Sequence, residues 1–232
     1  MNHPQIAITG LGLLAGSGLG HEAFWSALVS GETCIRPPTR VKPDAFPGTC
    51  VSEVPANAGA KDFVPKHYRK AVKVMARDTE LAVIAAALAV KDARLATRAT
   101  IPEDDSSTKP TYPSDRMGCQ IGAGLIPAEV PEIAGAFVQS RDLSASPKEV
   151  DRTNGFSLRA WGTIQPAAEP ASTSANAGGG MGHLQPLWLL KYLPNMLACH
   201  VTILHGTEGP SNTITCSQAS SLLCIGESCR VI

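Results

Sequence analysis

The sequence predicts a parallel α/β fold, and three observations predict it. Runs of strand length, bounded by glycine or proline, recur at 5–9, 117–124 and 212–215. Stretches with apolar residues at helical spacing occupy 22–29, 66–94, 187–204 and 218–230. The two kinds alternate along the chain, which argues for parallel strands joined by helical crossovers, with ligands collecting at the strands' carboxyl ends.

Residues 5–9 form a short apolar run rich in β-branched side chains and closed by Gly10 and Gly12. They read as a buried strand entering a tight turn. Phe24, Trp25, Leu28 and Val29 then fit a buried helical stripe over 22–29, with Gly31 as its C-terminal stop. Residues 36–65 are rich in proline and glycine and read as an excursion. Residues 66–94 are the most helical region, first basic and then alanine-rich, with Leu81, Ile84, Ala85 and Leu88 at i, i+3, i+4, i+7 spacing. That second half should pack against a sheet. After a polar, proline-bearing loop, 117–124 reads as a strand whose small final residues leave room for something. Residues 141–182, dominated by Ser, Pro, Ala and Gly, read as a long surface loop or lobe. Pro194 suits the N1 position of a helix starting near Asn195. Residues 212–215 then read as a strand and 218–230 as a helix.

The composition narrows the function classes. The chain has 232 residues, 44% of them hydrophobic, which suits one domain spanning 1–232. Twenty basic side chains balance 20 acidic ones, so no general field draws nucleic acid or anionic lipid, and only local clusters can matter. No apolar run is long enough to cross a bilayer, and residues 1–4 lack a basic leader. The seven cysteines form no CxxC pair, so reduced thiols in a cytoplasm are the simplest reading. Neither a metal nor a cofactor is expected, because His3, His21, His67, His183, His200 and His205 never form a zinc-type pair. His200 and His205, which can share one helix, read as structural.

Three local patterns invite a chemical reading. Gly10 to Ala15 is a formal GxGxxA, which in a Rossmann unit cradles a pyrophosphate. Glu32 has the spacing of the ribose-binding acid, but 33–38 is no buried strand, so a structural turn is preferred over a dinucleotide-binding oxidoreductase. Lys66, His67, Arg69, Lys70, Lys73 and Arg77 form a basic cluster, with Arg69, Lys70, Lys73 and Arg77 able to share one helix face. Such a face can dock an acidic protein or stand solvated among local ion pairs. Cys216, Ser217, Ser220 and Ser221 surround a strand-to-helix junction, where a nucleophile can be exposed and helix amides can hold an oxyanion, although helix-capping serines explain them equally well.

Several segments together resemble the β-ketoacyl-[acyl carrier protein] synthases. They are Asn195 to His200, Gly209-Pro210-Ser211 with the β-branched strand after it, Gly226, the opening Ile8-Thr9-Gly10-Leu11-Gly12, and the helix carrying Trp25. The resemblance extends to 79–95 and 117–124 and covers most of the chain outside about 140–185, which reads as an insertion. It implies a thiolase-like fold: a mixed, mainly parallel sheet with helices on both faces. In the family the nucleophilic cysteine follows the Gly-Pro turn at a fixed distance. Counting without a gap, that position is Gln218, and a carboxamide cannot form an acyl thioester. Cys216 would need a register shift to take its place.

Glutamine there is known in chain-length factors, which pair with an active synthase, and in loading-type synthases that decarboxylate a malonyl thioester. The resemblance thus implies a non-condensing partner subunit in fatty acid or polyketide synthesis. The alternative is a synthase or malonyl-thioester decarboxylase completed by another chain. It further implies docking of the acyl carrier protein on Arg69, Lys70 and Lys73, an acyl-pocket gate at Leu125, and a homodimer or a heterodimer with an active ketosynthase. The family's two catalytic histidines belong to a second half with no counterpart here. The sheet is therefore expected to stop before its last strands, as in a fragment, a disrupted gene or a subunit completed by a partner.

Overall fold

A computed structural model describes residues 5–40, 50–124, 128–141, 155–162 and 179–232. The chain divides into two compact units, one made of Met1–Leu125 with Pro194–Ile232, the other of Ile126–Leu193.

The first unit is built on two helices and a parallel pair of strands. Its longest helix, Arg77–Asp92 (α2), begins with Asp78 and Glu80 and ends with Lys91, charges that suit the helix dipole, and its interior is rich in alanine. It packs against Met196–His205 (α5), which stops where Gly206 turns left-handed at φ 71°. Val83 and Ile84 of α2 and Val201 and Leu204 of α5 form the core with Val72, Met75 and Ala60. Each such large aliphatic side chain, fully buried, contributes about 1.5–3 kcal/mol. Cys119–Gly122 (β3) pairs in parallel with Ser211–Ile214 (β4), Cys119 opposite Ser211 and Gly122 opposite Ile214. The final helix, Ser220–Val231 (α6), packs on both strands. Near the N-terminus, Leu14–Ala15 (β1) and Gly18–Leu19 (β2) form a short antiparallel pair leading into His21–Ser30 (α1).

The second unit contains Val130–Gln139 (α3) and Leu158–Gly162 (α4), with 3₁₀ turns at Gly180–His183 and Trp188–Tyr192. Gly180 lies so near α3 that a Cβ there would come within 2.5 Å of the Ala136 carbonyl oxygen. Trp161 also comes close to Gly180, and it clusters with Phe137 and Phe156 with ring centroids 5.7–6.0 Å apart. Glu132 ties Trp188–Tyr192 to α3: it accepts hydrogen bonds from Trp188 Nε1 at 2.9 Å and the Tyr192 hydroxyl at 2.6 Å, and it pairs with Lys191. The lobe read at 141–182 falls largely outside the described residues. Its described pieces are helical turns packed with α3.

Several sequence expectations need correction. Residues 5–9 form no strand, because a strand is defined by a partner and none pairs with them among the described residues; Ile8 is 81% exposed. Gly10 and Gly12 do not make a tight turn. They let the chain lie against α2, where a Cβ on Gly12 would meet the Ala85 carbonyl oxygen at 1.9 Å and one on Gly10 the Ala89 carbonyl oxygen at 2.4 Å. Helix α1 and its Gly31 stop, at φ 69°, form as expected, but its apolar stripe is uncovered and Trp25 is 64% exposed. Residues 66–94 are not one helix. Lys66–Val74 is 3₁₀, and Met75 and Ala76 are extended because both are drawn into the core before α2 begins. Pro194 lies one residue before the N-cap Asn195, outside the helix.

Helix α5 carries two buried histidines. His200 Nδ1 meets the Tyr68 hydroxyl at 2.9 Å and His205 Nδ1 meets Thr97 Oγ1 at 2.9 Å, while neither Nε2 has a hydrogen-bond partner among the described residues. Burial lowers both imidazoles, His205 to about 4 from an ordinary 6.5. The folded state therefore holds them neutral, and the unfolded chain takes up protons that the folded one refuses as pH falls below about 6.5. Stability is full above that pH and is lost down to about pH 4, by roughly 3 kcal/mol for His205. Urea midpoints measured between pH 7.5 and 4.5 should fall steeply, and His205→Gln should flatten the slope.

Candidate functional site

The strand-to-helix junction after β4 is the best-defined chemical feature of the first unit. It is reached through a glycine interlock. Gly209 donates its N–H to the Met117 carbonyl at 2.8 Å, and a Cβ on Gly118 would sit 2.2 Å from the Pro210 carbonyl oxygen. The Gly-Pro turn thus fixes where the parallel pair starts. At the other end Ala123 donates its N–H to the Ile214 carbonyl at 3.1 Å. A Cβ on Gly122 would meet the Ser220 carbonyl carbon at 2.5 Å and the Ser221 nitrogen at 2.6 Å. The small residues that close β3 therefore make room for the first turn of α6.

Between strand and helix, Ser217–Ala219 forms one 3₁₀ turn with Gln218 at its centre and exposed. Ser217 has φ 48°, a left-handed conformation that is costly for a residue with a Cβ. Ser220 is buried and knits the turn. Its Oγ accepts the Cys216 N–H at 2.8 Å and donates to the Ser217 carbonyl at 2.7 Å, so this hydroxyl is committed to structure. The exposed Ser217 hydroxyl donates to Gln218 Oε1 at 2.5 Å.

The thiols near the junction differ in character. Burial pushes the Cys119 thiol up to about 11 and also raises Cys224, so neither supplies thiolate near neutral pH. Cys216 is exposed and has non-helical backbone two residues before Gln218. The junction offers an exposed carboxamide and an exposed thiol, but at Gln218 itself no nucleophile.

Other sequence-derived candidates fare differently. Lys66, His67, Arg69, Lys70 and Lys73 are exposed on the 3₁₀ segment Lys66–Val74. His67 contacts Glu103 at 2.5 Å. Arg77 leaves the cluster: it stands on α2, pairing with Glu80 at 2.9 Å and donating to the Ala58 carbonyl at 2.9 Å. With three residues per turn, Lys70 and Lys73 stack in one column and Lys66 and Arg69 in another, not on the single α-helical face expected. Leu125 lies outside the described residues. The GxGxxA reading fails, since Leu11 N–H is taken by Asp92 Oδ2 at 2.8 Å and a hairpin separates the glycines from α1. Among the described residues no His, Cys, Asp and Glu group could hold a metal, and no helix is long and apolar enough to cross a membrane. The backbone of Ser217 and its hold on Gln218 escaped the sequence, whose only hint was the cluster of hydroxyls at the junction.

Comparison with known proteins identifies the family of the chain. Residues 3–232 match the family model described as beta-ketoacyl synthase, N-terminal domain. A beta-ketoacyl synthase 1 named for the granaticin polyketide, from Streptomyces violaceoruber, is 24% identical over 222 residues, covering 96% of this chain and 41% of the relative. The 3-oxoacyl-[acyl-carrier-protein] synthase 2 of Staphylococcus aureus strain COL is 24% identical over 228 residues, covering 98% of this chain and 42% of the relative. The chain thus spans about two fifths of the length of these relatives. A chain of the structure described as the ishigamide ketosynthase/chain length factor superposes with a TM-score of 0.54 at 19% identity, over 90% of this chain and 39% of that one. That likeness shows a shared thiolase-like fold.

The glycine interlock yields a direct test. Gly122→Ala should lower the urea-unfolding free energy by roughly 1–3 kcal/mol, because the added methyl meets helix backbone that cannot swing aside. Gly124→Ala, with no described residue within 4 Å of its Cβ, should stay within about 0.5 kcal/mol of the parent.

Proposed function

The chain belongs to the β-ketoacyl synthase family through its N-terminal domain, and on that footing we propose a ketosynthase-like component of fatty acid or polyketide synthesis that does not itself condense acyl units. The observation that carries this reading is Gln218 at the turn between β4 and α6. Condensation requires a nucleophile to accept the acyl group, and a carboxamide nitrogen, its lone pair delocalised, does not supply one. Such a protein acts by pairing with an active synthase and shaping its acyl tunnel, as a chain-length factor does. The name of the ishigamide ketosynthase/chain length factor agrees with this reading.

The proposal extends to partners. Arg69, Lys70 and Lys73 are exposed and form no ion pair among the described residues, which leaves their charge available to an acidic acyl carrier protein. Leu125 is proposed as the acyl-pocket gate on family resemblance, and the stretch around 140–185 as an insertion.

A second reading has two observations in its favour. Cys216 is an exposed thiol two residues before Gln218, and relatives bear the names of synthases. A synthase or malonyl-thioester decarboxylase completed by another chain would use that thiol or the Gln218 amide.

Three measurements check these readings. Mass spectrometry after exposure to an acyl-thioester donor should find no stable adduct within 211–232; an adduct on Cys216 overturns the non-condensing assignment. Incubation with malonyl-loaded carrier protein should release no carbon dioxide above background, and turnover by the isolated chain refutes the partner-subunit role. Reversing Arg69, Lys70 and Lys73 to glutamate should weaken carrier-protein binding by about tenfold or more and flatten its salt dependence. An unchanged affinity removes the docking assignment.

A further inference from the structure

We propose that Ser217 is a positioning residue for Gln218: it holds the carboxamide oxygen, so that the amide NH₂ is the group presented, as a donor, to the carbonyl oxygen of an acyl thioester. This rests on the reading of Gln218 as the position facing the acyl group.

Three observations carry it. Ser217 adopts φ 48°, one of three positive values among non-glycine residues in the described part of the chain, and such a conformation persists only where its surroundings enforce it. The enforcement is visible. The buried Ser220 hydroxyl closes the turn by accepting from the Cys216 N–H and donating to the Ser217 carbonyl, so backbone on both sides of the strained position is pinned. The left-handed turn then sets Ser217 Oγ against Gln218 Oε1 at 2.5 Å.

The chemical consequence follows from what a carboxamide offers. A free glutamine presents an acceptor oxygen or a donor nitrogen with equal ease, whereas one whose oxygen is engaged presents its two N–H bonds. The exposed Gln218 is thereby biased toward ligands with an acceptor atom. A thioester carbonyl is one, and an enolate oxygen is a stronger one.

The test separates positioning from folding by using two substitutions compatible with positive φ. Ser217→Gly removes the hydroxyl and relaxes the backbone, while Ser217→Asn tolerates the left-handed turn and keeps a side-chain donor. In the full chain, nitrogen relaxation of the Gln218 side-chain NH₂ should report an ordered group in the parent and in Ser217→Asn. In Ser217→Gly the order parameter should drop below about 0.6. Titration with acetyl-pantetheine should shift that NH₂ resonance in the first two proteins and bind about tenfold more weakly to Ser217→Gly, the loss expected for one hydrogen bond. A Gln218 amide equally mobile in all three overturns the positioning role. An ordered amide that acetyl-pantetheine does not perturb overturns instead the acyl-facing reading beneath it.

Discussion

The first unit depends on backbone touching backbone where glycine removes the side chain. Gly122 admits the first turn of α6 onto β3, Gly118 and Gly209 interlock the starts of the two parallel strands, and Gly10 and Gly12 lay the N-terminal segment along α2. At each of these sites a single methyl would fall between 1.9 and 2.9 Å from main-chain atoms of a neighbouring segment. Main chain cannot rotate out of the way as a side chain can, so these contacts fix spacings that the aliphatic core then fills. The junction carrying Gln218 inherits its geometry from the Gly122 contact, because the helix start and the turn before it move together.

The sequence shows the order of elements more clearly than their boundaries. Helix α1, the strands 119–122 and 211–214, and helix α5 follow from composition, spacing and flanking glycines, and the parallel pairing follows from their alternation with helices. Where the reading failed, the deciding contact was distant in sequence. The split between Lys66–Val74 and α2 comes from burial of Met75 and Ala76, which helical periodicity cannot register. Residues 5–9 carry strand composition without a paired strand, because composition states a preference and pairing requires another segment. The same limit applies to Phe24, Trp25, Leu28 and Val29. Periodicity marks an apolar face, and burial depends on what lies against it.

The candidate site was legible to a similar depth. Counting from Gly209-Pro210 leads to residue 218, and the run of Cys216, Ser217, Ser220 and Ser221 marks the junction. Which hydroxyl is structural could not be read, since Ser217, Ser220 and Ser221 are alike in sequence, yet one is strained and exposed, one is buried with its hydrogen bonds committed, and one is simply exposed. The spacing of the basic cluster predicts an α-helical face. The 3₁₀ geometry and the capture of Arg77 by Glu80 redistribute its charges into two columns.

The thiols bring chemistry and fold together. An acyl-transfer cysteine must be exposed, readily ionised and placed where helix amides can meet the oxyanion. Cys119 and Cys224 fail the first two conditions, being shielded by the strand and helix they join, with burial raising both thiols. Cys216 is exposed, but it precedes the left-handed Ser217, so the turn that would aim a nucleophile at the helix start begins only after it. The turn aims residue 218 instead, and there the chain carries an amide. On the role proposed for Gln218, hydrogen-bond donation rather than acyl attachment is the chemistry of this junction, because the turn places its exposed thiol before the left-handed residue and its amide after it.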